Sequence, residues 1–393
     1  MSIIQNKTMN RIPEKPRKIS KQIMVVSGGH LFHDLYTSFL APLLPTLIEN
    51  LSLSLTSAGV LTTFSRLPSI LNPFIGYIAD KVGARYFVIF APAITATLMG
   101  LLGQATSFSS LAIILFLAGM SSTMFHAASP GLVARASGDR KGFGLSLFMA
   151  GGGLGRSLGP LLAVWAVSVW GLPSIYRLMF LGWFASLILF IQVRKLDFSP
   201  QVNPPLRAAL PLFKKFFLPL SLVVVLRSTL TAALSTYLPV YMVQSGAPLW
   251  IAGAALTVLE LAGVIGALFI GPLSDSFGRR KSINVSLLIS ALLVPIFLQV
   301  QGWLVFPLLV LLGFFSLSPG TLFLALVQDN FQEHRATGNG VYLLIHLLSN
   351  GLMLILIGVI GDNLGLKTAY LIGAAASLCS IPALALLPRQ KEI

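Results

Sequence analysis

Charge is scarce in this chain. Of 393 residues only 10% are Asp, Glu, Lys or Arg, and just 12 are acidic. A soluble globular domain carries about 25% charged residues. A chain that is 55% hydrophobic, with a mean hydropathy of +0.85, is therefore excluded from that class. Cysteine is nearly absent: Cys379 stands alone, which excludes a disulfide framework and a thiolate metal centre. No Gly-x-x-x-x-Gly-Lys-(Ser/Thr) loop occurs, so ATP is not a direct energy source. Short alternating strands are also missing. Long apolar runs stand in their place, which excludes a membrane-spanning barrel.

What is present is an all-α membrane protein. Twelve apolar runs lie near residues 23–48, 54–79, 86–105, 108–134, 142–170, 174–193, 216–243, 249–274, 282–300, 303–328, 338–361 and 368–388. Each is long enough to cross a bilayer as a helix. With the N-terminus placed in the cytoplasm, 22 of the 27 Lys and Arg fall on the tails and the even-numbered connections, and two, Arg177 and Lys367, fall on outer loops. That asymmetry puts both termini in the cytoplasm of a plasma (inner) membrane protein. It also accounts for the formal net charge of +15 without nucleic acid: the bilayer is the partner.

The chain repeats itself. Gly76-Tyr-Ile-Ala-Asp80-Lys-Val-Gly83-Ala-Arg85 returns 195 residues later as Gly271-Pro-Leu-Ser-Asp275-Ser-Phe-Gly278-Arg-Arg280. Leu44-Pro45 and Ala58-Gly59 return as Leu238-Pro239 and Ala252-Gly253. Six spans bring the chain back to the same side, so the repeat predicts two parallel six-helix bundles. The expected organisation is a cytoplasmic tail at 1–22, a first bundle at 23–193, a linker at 194–215, a second bundle at 216–388 and a short tail at 389–393.

The duplicated loop, Gly-x-x-x-Asp-(Lys/Ser)-x-Gly-x-Arg between the second and third helix of each half, resembles the signature of the major facilitator superfamily. The resemblance covers the whole chain. It implies two bundles that rock about a central site, with Asp80, Arg85, Asp275 and Arg280 tying the halves together when the cytoplasmic side is closed. A narrower resemblance rests on Phe125-His126, Ser129, Val133-Ala-Arg135-Ala-Ser-Gly138-Asp-Arg140, Ser146-Leu147-Phe148 and Ser157-Leu158-Gly159-Pro160-Leu161-Leu162. These are similar to the fosmidomycin-resistance branch, which implies drug efflux driven by inward proton flow. The fourth helix lacks the arginine of many proton antiporters in the wider superfamily.

Five ionisable residues sit at the centre of apolar spans: Asp34, Arg66, Arg156, Arg227 and Glu260. Such groups are costly in hydrocarbon and mark a polar path through the bundle. Asp34 and Glu260 are the acidic residues deep in the membrane, so a proton carrier is sought between them. Burial favours the neutral carboxyl and a nearby arginine the ionised one; a carrier needs that balance to change. The reading assigns coupling to Asp34, helped by His33, with Glu260 paired to an arginine. The alternative is that both carboxylates are fixed ion-pair partners.

Arg66, Arg156 and Arg227 suit an anion, because a planar guanidinium grips phosphate or phosphonate oxygens in pairs. The alternative is that they neutralise Asp34 and Glu260. His30 and His126 join them as candidate substrate contacts. His30, His33 and Asp34 share one helix face, yet a metal would need further ligands, so no metal or other cofactor is assigned. Gly151, Gly155 and Gly159, followed by Pro160, let helices approach closely. They also resemble the Gly-x-x-x-Gly-Pro antiporter signature, with Ala163 and Val164 where a trailing glycine pair is usual. Gly155-Arg-Ser157-Leu-Gly159 matches the nucleophile elbow in letters only, since it lies in a membrane helix, and no enzyme is read here.

The sequence therefore reads as a proton-coupled exporter of a small drug-like or anionic compound, functional as a monomer. One alternative is an organic-anion or organophosphate uptake system or exchanger. Another is a transporter-like membrane sensor that moves nothing.

Overall fold

The computed structural model describes residues 21–72, 74–75, 78, 85–137, 140–195, 210–331 and 335–388. Among them the chain is helical throughout. Nine stretches are long and apolar enough to cross a membrane. The first half contains α1 (Lys21–Thr37), α2 (Leu40–Leu51), α3 (Leu55–Phe64), α4 (Arg85–Gly100), α5 (Phe108–Ala136), α6 (Lys141–Trp170) and α7 (Met179–Val193). The second contains α8 (Leu210–Ala232), α9 (Leu238–Gln244), α10 (Leu249–Phe277), α11 (Arg279–Phe297), α12 (Val305–Leu317), α13 (Pro319–Asn330) and α14 (Arg335–Ala385). α14 is two helices joined at Gly365, whose φ of 81° and ψ of 155° are not helical.

Prolines explain most of the other breaks. Pro42 cannot donate to the carbonyl four residues back and its ring crowds it. The chain accordingly turns at Ser38–Phe39, between α1 and α2. Pro239 does the same in the second half, where a π-helical segment, Ala233–Tyr237, absorbs the misfit between α8 and α9. Pro319 separates α12 from α13.

Packing divides by depth. One hydrophobic core draws on both halves at the end away from the termini, from Leu43, Leu44 and Leu61 through Tyr237 and Leu238 to Leu354 and Ile357. At the other end each half keeps its own core: Ile23, Phe125 and Val193 in the first, Phe216, Phe323 and Leu384 in the second. Among the described residues the bundles thus share a core at one end and keep separate cores at the end that bears the termini. α7 exposes Phe180, Phe184, Leu187 and Ile191, a helical stripe suited to lipid.

Small residues set the closest approaches. A Cβ on Gly151, Gly155 or Gly159 would collide with the backbone carbonyls of Ser27, Leu31 and Leu35. The glycine stripe of α6 therefore lies directly against α1, as its four-residue spacing predicts. α6 also meets α10 across the halves, where Gly153 faces Val264 and Gly253 faces Val164.

Candidate functional site

The C-terminal ends of α1 and α3 and the middles of α5, α6 and α10 meet the π segment around a cavity of about 270 Å³ between the halves. Arg66, Arg156 and Glu260 line it, with Thr62, Ser65, Ser235 and Thr236. Three of the five ionisable residues that the sequence places at the centre of apolar spans thus share one wall. Arg66 donates to the side-chain oxygen of Asn350, from one half to the other. Glu260 makes no ion pair within 4.0 Å among the described residues, although both arginines line the same space. The expected Glu260–arginine pair is therefore not found there, and a different pair takes its place.

That pair is Asp34 and Arg156. The guanidinium Nη1 donates to Asp34 Oδ2 at 2.7 Å, from α6 to α1. Asp34 is buried, at 2% exposure, whereas the Arg156 side chain is 47% exposed and reaches the cavity. The same carboxylate faces two histidines. His30 Nε2 lies 3.2 Å from Oδ2 and His126 Nε2 lies 3.4 Å from Oδ1. His33, assigned as the helper of Asp34, points elsewhere: its ring stacks on Phe125 at 4.3 Å and its Nδ1 lies 3.4 Å from the Thr95 hydroxyl. His126, from α5, stands in its stead. On α1 the i, i+4 pair His30–Asp34 converges, while His33 is turned into the α4–α5 interface.

Arg227 is not in this cavity wall. It is buried against α12, where its Nη2 donates to the carbonyls of Ser316 at 2.8 Å and Leu317 at 3.4 Å, and its guanidinium lies over Phe323. α12 ends at Leu317, and Pro319 two residues on brings no N–H with which to continue its ladder. Arg227 supplies donors there, so its place in the structure is that of a helix cap rather than a free anion contact.

The duplicated loop is seen in part. Asp80 lies outside the described residues. Arg85 opens α4, with its guanidinium 5.2 Å from the Tyr86 ring. In the second copy Asp275 pairs with Arg279 at 3.2 Å, and Arg279 also holds Asp329. Arg280 donates to the carbonyl of Pro388. These contacts of Asp275 and Arg280 lie within the second half rather than between halves. Pro160, at the end of the glycine stripe, lines the cavity.

Sequence reasoning misses the contacts that seal the opposite end. Tyr237 donates to the carbonyls of Leu55 at 3.0 Å and Leu354 at 2.8 Å. Thr63 donates to the carbonyl of Gly351, and the Asp362 carboxylate receives the first two N–H groups of α3. By position alone Asp362 reads as a loop acid. Its place before Gly365 carries no signal of a partner more than 300 residues away.

The model of a family described as the Major Facilitator Superfamily matches residues 26–345 and 251–392. The chain is 27% identical over 358 residues to the fosmidomycin resistance protein of Escherichia coli (strain K12), covering 89% of this chain and 88% of that one. It is 26% identical over 292 residues to the multidrug resistance protein MdtG of Salmonella paratyphi A (strain ATCC 9150 / SARB42), covering 70% and 72%. Among solved structures it superposes on a D-xylose–proton symporter with a TM-score of 0.75 at 15% identity, over 96% of this chain and 100% of that one.

Proposed function

Because the chain belongs to the major facilitator superfamily, we propose that it is a proton-coupled exporter that moves a small anionic or drug-like compound, such as a phosphonate, by alternating access. Two six-helix bundles, twelve spans in all, rock about the cavity between them. With both termini in the cytoplasm, the end with the two separate cores faces inward. The similarity to proteins named for fosmidomycin resistance and multidrug resistance supports the direction of transport and the substrate class.

One observation carries the mechanism: Arg156 belongs to both places at once. Its guanidinium lines the cavity and holds the buried Asp34 carboxylate at 2.7 Å. An anionic substrate entering beside Arg66 and Arg156 competes with Asp34 for that guanidinium. When Arg156 turns to the substrate, Asp34 loses its counter-charge in a low-dielectric site, where an unpaired carboxylate is costly. A proton then restores neutrality. Conversely, a proton held on Asp34 releases Arg156, and deprotonation draws the guanidinium back. Substrate on Arg156 and a proton on Asp34 thereby favour each other, and the ion pair couples the two. For an anion they move in the same direction, as in the uptake alternative, whereas export against proton entry needs a drug-like substrate that displaces the proton from Asp34.

The test is transport by purified protein in liposomes carrying an internal pH dye and an imposed pH gradient, with fosmidomycin and other phosphonates as substrates. Substrate-triggered proton movement that vanishes in Asp34→Asn is the expected outcome. Substrate movement with no pH change in the wild-type protein would instead favour an organic-anion exchanger. That second reading draws on Arg66 and Arg156 sharing a wall with a single carboxylate.

A further inference from the structure

We propose that His30, Asp34 and His126 form a binding site for a divalent transition-metal ion of the zinc class. One ligand atom from each residue lies within 4.8 Å of the others. Two imidazole nitrogens and one carboxylate, with a further position open, make the donor set of a zinc, cobalt or nickel site. A single carboxylate is too few hard oxygens for calcium or magnesium.

The orientation of His30 is the strongest argument. Its Nδ1 lies 2.8 Å from the carbonyl oxygen of Phe148. A carbonyl only accepts, so Nδ1 carries the hydrogen and, in the neutral ring, Nε2 presents its lone pair. Nε2 is buried, makes no hydrogen bond among the described residues and faces the Asp34 carboxylate at 3.2 Å. A lone pair aimed at a carboxylate is repulsive until a cation, a proton or a metal ion, lies between them. A backbone carbonyl behind a ligating histidine is also the usual support that holds the ring and its tautomer. Stacking on Phe148 at 4.0 Å fixes the ring further.

His126 supplies the entrance. Its side chain is 42% exposed, while His30 and Asp34 are 3% exposed. An ion arriving from the open side meets His126 first and then the buried pair, with a water or an anion completing its shell. Arg156 is the competitor, since it occupies Asp34 Oδ2. Its exposure lets it withdraw toward Glu260 on the cavity wall as the metal arrives. Metal binding itself does not depend on the transport reading. Its consequence does: a bound ion would hold Asp34 against both Arg156 and the proton, and would block exchange.

The experiment uses the full-length protein in detergent, freed of any polyhistidine tag, with Cys379→Ser to remove the one thiol. Zn²⁺ is titrated by calorimetry. Co²⁺ is titrated by visible absorption, which reports its coordination directly. The expected result is one site, a Co²⁺ spectrum of low coordination number displaced by Zn²⁺, and at least about tenfold weaker binding in His126→Ala and in His30→Gln. Arg156→Gln should bind more tightly, because it removes the competing charge. His346→Ala, a histidine outside the cluster, should bind as the parent does. Each variant is first shown to be monodisperse by size exclusion. No saturable binding to the folded parent, or affinity unchanged in both His126→Ala and His30→Gln, would overturn the proposal. Loss of zinc binding and loss of proton coupling are read separately, so failure of one leaves the other standing.

Discussion

Asp362 caps a helix that belongs to the other half of the molecule. Its carboxylate receives Leu55 N at 2.8 Å, Thr56 N at 2.9 Å and the Thr56 hydroxyl at 2.5 Å, although Ser54 already caps the same helix locally through Ser57 N. Free N–H groups at a helix start and the positive end of its dipole favour such an anion. Tyr237 adds a second bridge between α3 and α14 through the carbonyls of Leu55 and Leu354.

Removing that carboxylate should loosen the closed end. A lost cap costs about 0.5–2 kcal/mol, so Asp362→Ala should shift the two-state balance toward opening by roughly two- to thirtyfold. Spin labels placed at the ends of α3 and α14, in a Cys379→Ser background, report the distance distribution. A growing population of longer distances is the expected result, and an unchanged distribution would mean that the apolar core and the Tyr237 and Thr63 bridges hold this end without the carboxylate.

Gly155 lies where α6 and α1 touch, and a Cβ there would strike Leu31 O and Leu35 N. Overpacking of this kind costs about 1–3 kcal/mol. Gly155→Ala should therefore lower the thermal unfolding temperature in detergent. Gly142→Ala is the comparison, because nothing lies within 4 Å of its Cβ position and alanine suits a helix better. It should be neutral or slightly stabilising.

Arg227 is buried with its donors on Ser316 and Leu317. Arg227→Met leaves those carbonyls without a partner at a proline-broken helix end. A loss of about 1–3 kcal/mol in stability is expected. Thermal unfolding should show the loss whether or not a phosphonate is present, as befits a structural arginine.

Arg156 should behave differently. Arg156→Lys keeps the charge on the cavity wall but loses the planar fork, so a phosphonate should bind more weakly by about 1.5–3 kcal/mol, or roughly tenfold or more. Unfolding in the absence of substrate should move less than in Arg227→Met. Equal effects of the two substitutions on substrate affinity and on stability would erase the distinction drawn between these arginines.

Much of the architecture is legible without coordinates. Apolar run length, the placement of Lys and Arg, and the Gly76/Gly271 repeat predict membrane helices in two related halves, and the superfamily follows from the duplicated loop. The same scarcity of charge makes Asp34, Arg66, Arg156 and Glu260 visible, because hydrocarbon tolerates few such groups and each must have a reason to be there. The glycine spacing in α6 likewise foretells a close helix contact.

Partner choice is not legible. Helical period tells which residues share a face, and it correctly puts His30 and Asp34 together, but it puts His33 with them as well. Only packing turns His33 onto Phe125 and brings His126 to the carboxylate. Arg156 meets Asp34 across 122 residues, and Asp362 meets Leu55 across 307. Arg227, equal to the other arginines in sequence, is claimed by the carbonyls of a broken helix. By itself the sequence determined which segments enter the membrane and which polar groups go with them, since that is a local question of transfer from water. Which of those groups neutralises which was decided by tertiary structure, because a charge in a low-dielectric interior is satisfied by whatever the fold brings within a few ångströms.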